Sequence, residues 1–446
     1  MSASPFDSAM FRDLLGDREV QALFTDTAEL RAMLLVWGAL AKAQAAGGLI
    51  PADAADAIQR AAMEIQIDPA ALRAETWQNA VPVPALAARF RAEMQAPEAA
   101  QFVHFGATSQ DIIDTALALR LRQVLGLVEG RLRGLIGRLG ALAEAEAGTP
   151  MLARTYGQAA VPTSFGAVVA GWGWPLVELL GEMDALRDQV LRVSLSGAAG
   201  TLSAMGPKGP DVRADLARGL GLADPGRSWH SDRSGLAALS AWATRVCGIL
   251  SKFGADLCVL SRTEIGEVQL ALGGASSTMP QKSNPVGPSV LGAIAAQVSG
   301  LNTVMQTALT HREQRDGAAW ISEWMSLPQI CIGLGRATAL AAEIAQGIAA
   351  QPERMAGAIA ATNGRIFAEA LTFRLAREMP RPEAQAIVKA LCTEDAPLQE
   401  AATARFPDLD LADIFDPAAS LGTAPDEARA FAEKAAEVAR ESAGTS

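Results

Sequence analysis

Apolar residues recur along this chain at helical spacing over unusually long stretches. From Ser109 onward, Ile112, Ile113, Ala116, Leu117, Val124, Leu127, Val128, Leu132, Leu135 and Leu139 predict a single helix over 109–147. A helix of that length would measure ~58 Å, beyond an ordinary globular helix. Comparable runs cover 162–193 (with a kink expected at Pro175), 235–272, 286–310 and 327–349. Their apolar positions fall on several sides, which predicts a helix bundle that packs against further copies of itself. A monomeric bundle is the alternative, and one chain would struggle to cover that much apolar surface.

Shorter elements flank this bundle. Asp26 with Glu29 forms a capping-box pattern ahead of a helix over 30–46, which Gly47 and Gly48 end, and Pro51 opens the next. After Gln351 the helices shorten, broken by Asn363-Gly364, Pro380, Pro382 and Pro407. The pattern predicts an all-α protein in three domains: an N-terminal helical domain over 1–102, a central bundle over 103–350 and a small helical domain over 351–446, frayed at its last few residues.

Composition narrows the class. Of 446 residues half are hydrophobic but only 5% aromatic, with one tyrosine, which favours helix over sheet. A net charge of −11 argues against nucleic acid or an anionic membrane as partner. The uncharged stretch 283–310 is long enough to span a bilayer, yet it carries Gln297, Ser299, Asn302, Thr303, Gln306 and Thr307 and reads as a buried bundle helix. Four scattered cysteines without a CxxC pair read as free thiols of a cytosolic protein, and three distant histidines make a histidine-rich metal site improbable. The start of the chain lacks the basic and apolar parts of a signal peptide, so the expected location is the cytoplasm.

Candidate chemistry concentrates in residues 273–289, Gly-Gly-Ala-Ser-Ser-Thr-Met-Pro-Gln-Lys-Ser-Asn-Pro-Val-Gly-Pro-Ser. Glycines open it, Pro280, Pro285 and Pro288 keep it from closing into a helix, and it presents two hydroxyls, the Lys282 ammonium and the Asn284 amide. A mobile loop of this kind can close over an anionic substrate and exclude water. The plain alternative is a polar connector between helices. Thr108 and Ser109, N-cap residue types at the start of the first long helix, either cap it or offer a carboxylate its exposed amides.

Ser276-Ser277-Thr278-Met279-Pro280-Gln281-Lys282-Ser283-Asn284-Pro285 resembles the signature loop of the fumarase/aspartase superfamily. The segment His104-Phe-Gly-Ala-Thr-Ser-Gln-Asp111 resembles its first motif, in the version carried by bacterial 3-carboxy-cis,cis-muconate cycloisomerases. Arg154-Thr-Tyr-Gly-Gln158 is similar to the second, with Tyr156 where the family usually has histidine, although Arg154 could equally brace two helices. Trp229-His-Ser-Asp-Arg233 and His311-Arg-Glu-Gln-Arg-Asp-Gly-Ala-Ala-Trp320 complete the set.

The resemblance implies a three-domain helical fold and a homotetramer whose sites are shared between chains. It implies Ser276 as proton-transfer residue, assisted by Lys282, with Asn284, His104, Thr108, Ser109, Arg154, Tyr156, Gln158, His230 and Arg315 on the substrate and neither metal nor organic cofactor. In the superfamily the second-motif histidine, braced by a glutamate at the end of the loop, is tied to protonating the leaving group. Here those positions are Tyr156 and Ser289, and Asn79-Ala80 stands where adenylosuccinate lyases carry a His-Asp pair. A carboxylate leaving group, with a pKa of roughly 4, needs no such acid. The departures therefore permit what the resemblance implies, lactonisation of a small tricarboxylate, a carboxymuconate of aromatic (protocatechuate) catabolism. An adenylosuccinate lyase-like elimination and a non-enzymatic, crystallin-like role are the alternatives.

Overall fold

The computed structural model describes residues 4–271, 273–275, 279 and 282–441. Helices dominate, and they divide between two compact units. The first comprises Met1–Glu129, Gly181–Cys247 and Ile294–Ala337, and the second Gly130–Leu180, Gly248–Ala293 and Thr338–Ser446. Four long helices, Ser109–Ala145, Ser234–Leu260, Val286–Thr307 and Gly317–Ala345, each contribute residues to both.

In the first unit the helix Asp26–Ala46 packs on Ala52–Glu64 and on Gly209–Leu220. Its cap is Thr25, whose hydroxyl accepts from the Ala28 amide, one residue ahead of the Asp26 cap expected from sequence. Trp37 stacks on Phe90 at 5.7 Å in a core that also holds Met33, Leu40, Leu86 and Ile112. A 21-residue helix buried round most of its circumference in this way outweighs the weak propensity of any single residue.

The second unit is built on close approaches. The helix Ala424–Glu441 lies against Gly140 and Gly173. A Cβ at Gly173 would meet the Phe431 ring at 2.0 Å, and one at Gly140 would meet Ala435 at 2.4 Å. A smaller cluster of Leu371, Leu375, Ala384, Val388, Leu398 and Ala402 joins the C-terminal helices.

Two of the long predicted runs depart from their apolar pattern by more than a few residues. The run over 162–193 begins as a strand: Pro150–Thr155 and Gln158–Ser164 form an antiparallel hairpin, followed by the helices Phe165–Gly181, with Pro175 inside it, and Met183–Val190. The run over 235–272 leaves the helix at Leu260, turns through Gly266 at φ 62°, and continues as the strand Val268–Leu270 paired with Ile348–Ala350. A short apolar run satisfies strand and helix equally, and only pairing elsewhere in the chain decides between them. The stretch 286–310 is the helix Val286–Thr307, and among the described residues no helix is long and apolar enough to cross a membrane. All four cysteines are free, and burial pushes the Cys247 thiol up to about 12, so it behaves as a small core residue.

Candidate active site

The first long helix starts at Ser109, with Thr108 before it. What fixes that start is Asp111. Its side chain is fully buried and accepts from the amides of Thr108 (3.0 Å), Ser196 (2.9 Å) and Gly197 (2.9 Å), and it lies 2.8 Å from His230 Nε2. One carboxylate thus ties the helix N-terminus to the loop around 196 and to the segment around 230. Buried ionised groups are tolerated only when bonded this fully.

One helical turn on, Asp114 accepts from Arg233 at 2.7 and 3.1 Å, and the same guanidinium donates to Glu323 at 2.6 and 2.8 Å. All three side chains are buried. Burial works against ionisation of Glu323, but His311 and Arg233 outweigh it and hold the carboxyl below its usual range. Arg233 also lies over the Trp229 ring at 4.8 Å.

Above this network a cleft of about 260 Å³ is lined by Thr108, Ser109, Gln110 and Arg315, together with Asn79, Ala80, Trp320 and Trp324. Arg315 Nε donates to Gln110 Oε1 at 2.7 Å and Nη2 to the Ala198 carbonyl at 3.3 Å. Both acceptors are neutral, and among the described residues no carboxylate pairs with Arg315. A guanidinium without a counter-charge, beside a helix N-terminus whose first amides lack intrahelical acceptors, is an arrangement for binding a carboxylate.

The other sequence-predicted residues stand elsewhere. Buried His230 faces Asp111 rather than the cleft, and among the described residues its Nδ1 has no hydrogen-bond partner. His104, at φ 63°, accepts the Trp37 indole N–H on Nδ1 at 3.2 Å. Arg154 forms a two-pronged pair with Glu267 at 2.8 Å on each branch, and Glu267 is fully buried. Tyr156 and Gly157, both at positive φ (53° and 76°), make the two-residue tip of the hairpin, where Tyr156 is fully exposed and Gln158 begins the returning strand.

The stretch 273–289 is closed at its base by pairing of Gly274 with Asn284 and Ala275 with Ser283. What its glycines provide is room: a Cβ at Gly273 would lie 1.8 Å from Ser283 Oγ, and one at Gly274 2.6 Å from a Val286 methyl. Asn284 lines a separate cleft of about 320 Å³ with Arg262, Thr263, Gln269 and Arg354. Lys282 is exposed, and its amide donates to the Met279 carbonyl. Ser276, with Ser277, lies outside the described residues. Ser289 Oγ donates to the carbonyl of Pro285, the residue just before its own helix.

Sequence reasoning assigned no role to Gln110, Asp111, Asp114, Arg233 or Glu323. A signal was present: Gln110, Asp111, Asp114 and Thr115 form a polar stripe at three- and four-residue spacing in an otherwise apolar helix.

Residues 17–300 match the model of a family described as Lyase. A 3-carboxy-cis,cis-muconate cycloisomerase of Pseudomonas aeruginosa is 36% identical, over 93% of this chain and 93% of its own. A nitrosuccinate lyase of Streptomyces davaonensis is 33% identical, over 95% of this chain and 94% of its own. The solved structure of the 3-carboxy-cis,cis-muconate lactonizing enzyme of Pseudomonas putida superposes with a TM-score of 0.90 at 32% identity, covering 97% of this chain and 100% of that one. The chain belongs to this lyase family of the fumarase/aspartase superfamily and has its helical fold.

His104 makes the stability of the fold sensitive to pH. Burial pushes its imidazole down from 6.5 to about 4, with Asp111 opposing and Arg91 reinforcing the shift. As pH falls below 6.5 the unfolded chain takes up a proton that the folded chain refuses until about 4, so stability present at pH 7 is lost through that window. The loss from this group by pH 5 is on the order of 2 kcal/mol. His104→Asn, which tolerates the positive φ, should be less sensitive to acid by about that amount in urea unfolding at pH 7 and 5. An identical pH dependence in variant and parent would show that His104 does not carry it.

Proposed function

We propose that this enzyme is a 3-carboxy-cis,cis-muconate cycloisomerase acting on its small tricarboxylate in the cytoplasm. The observation that carries the reading is the uncompensated Arg315 fork beside Thr108 and Ser109, in a chain whose net charge is −11. It supports a substrate rich in carboxylates, which Arg315, Thr108 and Ser109 would hold.

In the lactonising direction an internal carboxylate adds to a double bond and a proton is placed on the carbon α to another carboxylate. Ser276 delivers that proton, and Lys282 and Asn284 stabilise the doubly charged aci-carboxylate that precedes it. In reverse the leaving group is a carboxylate, stable as an anion, so no side chain need protonate it. Tyr156 and Ser289 at the positions of the family's histidine and glutamate fit that economy.

A second reading draws on the nitrosuccinate lyase at 33% identity: elimination of a stable anion from a substituted succinate, which the same departures would permit. Purified protein mixed with 3-carboxymuconate should deplete the diene absorbance. Turnover of nitrosuccinate without any loss of diene would replace the first reading by the second. Ser276→Ala should lower turnover at least ~100-fold with the fold intact.

Exposed Tyr156, Trp77 and Met325 support a homotetramer in which the hairpin tip of one copy completes the site of another. Light scattering at micromolar concentration should show four chains, and a stable monomer would end that proposal. Tyr156→Phe removes only a hydroxyl. It should keep turnover within about tenfold, the loss of one supporting hydrogen bond, and leave the pH profile unchanged. A fall like that of Ser276→Ala would make Tyr156 a proton donor.

A further inference from the structure

Gln110 is fully buried, yet it touches the one residue of the cleft that carries uncompensated charge. Its amide nitrogen donates to the His230 carbonyl at 2.9 Å and to Asp114 Oδ2 at 3.2 Å. Both of those atoms can only accept, so the amide has one satisfied orientation, with Oε1 turned to Arg315 Nε at 2.7 Å. Asp114 is itself held by Arg233, and Arg233 by Glu323. We infer that Gln110 is a positioning residue for substrate binding: it aims the Arg315 guanidinium into the cleft while leaving its positive charge unspent. The inference rests on the reading of Arg315 as the carboxylate-binding group.

The choice of an amide follows from the charges around it. Facing position 110 are Arg315, the His230 carbonyl and Asp114, which is backed by Arg233. A carboxylate here would bond Arg315 equally well but would cancel its charge and set two anions side by side. An apolar side chain would leave Arg315 Nε without its acceptor, and the guanidinium would have many more rotamers open to it. Glutamine supplies an acceptor to the arginine and a donor to the carboxylate behind it, at no net charge.

Three variants test this by steady-state kinetics with 3-carboxymuconate, after circular dichroism has shown each to be folded. Arg315→Gln sets the scale by raising KM. Gln110→Met should also raise KM, by about tenfold or more as expected for loss of a hydrogen bond to a charged group, while kcat falls much less. Gln110→Glu is isosteric with the parent when protonated and anionic when not. Its KM should therefore be near the parent's at the acid end of the activity range and climb with pH, a dependence the parent lacks.

Should the methionine variant fail to fold, the pH-dependent KM of Gln110→Glu decides alone. If Arg315→Gln raises KM while Gln110→Met leaves it unchanged, or if the KM of Gln110→Glu is flat with pH, the positioning role is overturned and Arg315 keeps its own. If Arg315→Gln leaves KM unchanged, the cleft is not where the carboxylate binds, and the inference falls with it. Continued depletion of the diene by that same variant would show that the cycloisomerase reading itself survives.

Discussion

Everything in the candidate site hangs from the buried carboxylate of Asp111. A carboxylate removed from water costs several kcal/mol unless its oxygens are bonded, and this one is bonded by three backbone amides and faces the His230 imidazole. The converse matters as much. Those amides belong to a helix start and to a tight loop, where no carbonyl of regular structure could satisfy them. Charge and amides are therefore mutually dependent, and the geometry that satisfies both is narrow. It sets where the helix Ser109–Ala145 begins, and so where Thr108 and Ser109 stand.

The architecture was legible in the sequence wherever burial is many-sided and long. The helix Ser109–Ala145 ends within two residues of its apolar pattern, because nothing competes with a helix over that length. Hairpins were not legible. Met151 to Ser164 contains no dense run of β-branched residues, and its turn is Tyr156-Gly157, where asparagine or aspartate before glycine would have announced a two-residue turn. An aromatic residue at positive φ is costly, so no rule of local propensity would place it there. Its conformation is set by the strands it connects.

The site was legible in part, for a different reason. Thr108, Ser109 and Arg315 stand together in one cleft although 206 positions separate Ser109 from Arg315, and only likeness of motif, not spacing, connected them in the sequence. Gln110, Asp111 and Asp114 lay inside the same motif but showed no chemistry of their own. Their part is to hold other groups in place, and a residue that acts through its neighbours declares itself only when those neighbours are known. Asp114, Arg233 and Glu323 come from three separate segments, so no window of sequence contains the network.

Two arginines from two motifs show why the partner, not the residue type, decides function. Arg154 and Arg315 are both partly open to solvent, and each is a plausible fork for a carboxylate. The fork of Arg154 is filled by Glu267, which is wholly buried. For Arg154 to take a substrate carboxylate it would have to release Glu267, leaving a buried anion unpaired at a cost of about 3–5 kcal/mol. That cost favours a structural part for Arg154, bracing the hairpin that carries Tyr156 against the turn at Gly266. Arg315 bears no such cost, because its acceptors are an amide oxygen and a backbone carbonyl. A neutral partner fixes the direction of a guanidinium without consuming its charge, and in an acidic protein that must attract an anion this difference determines which arginine is free to bind it.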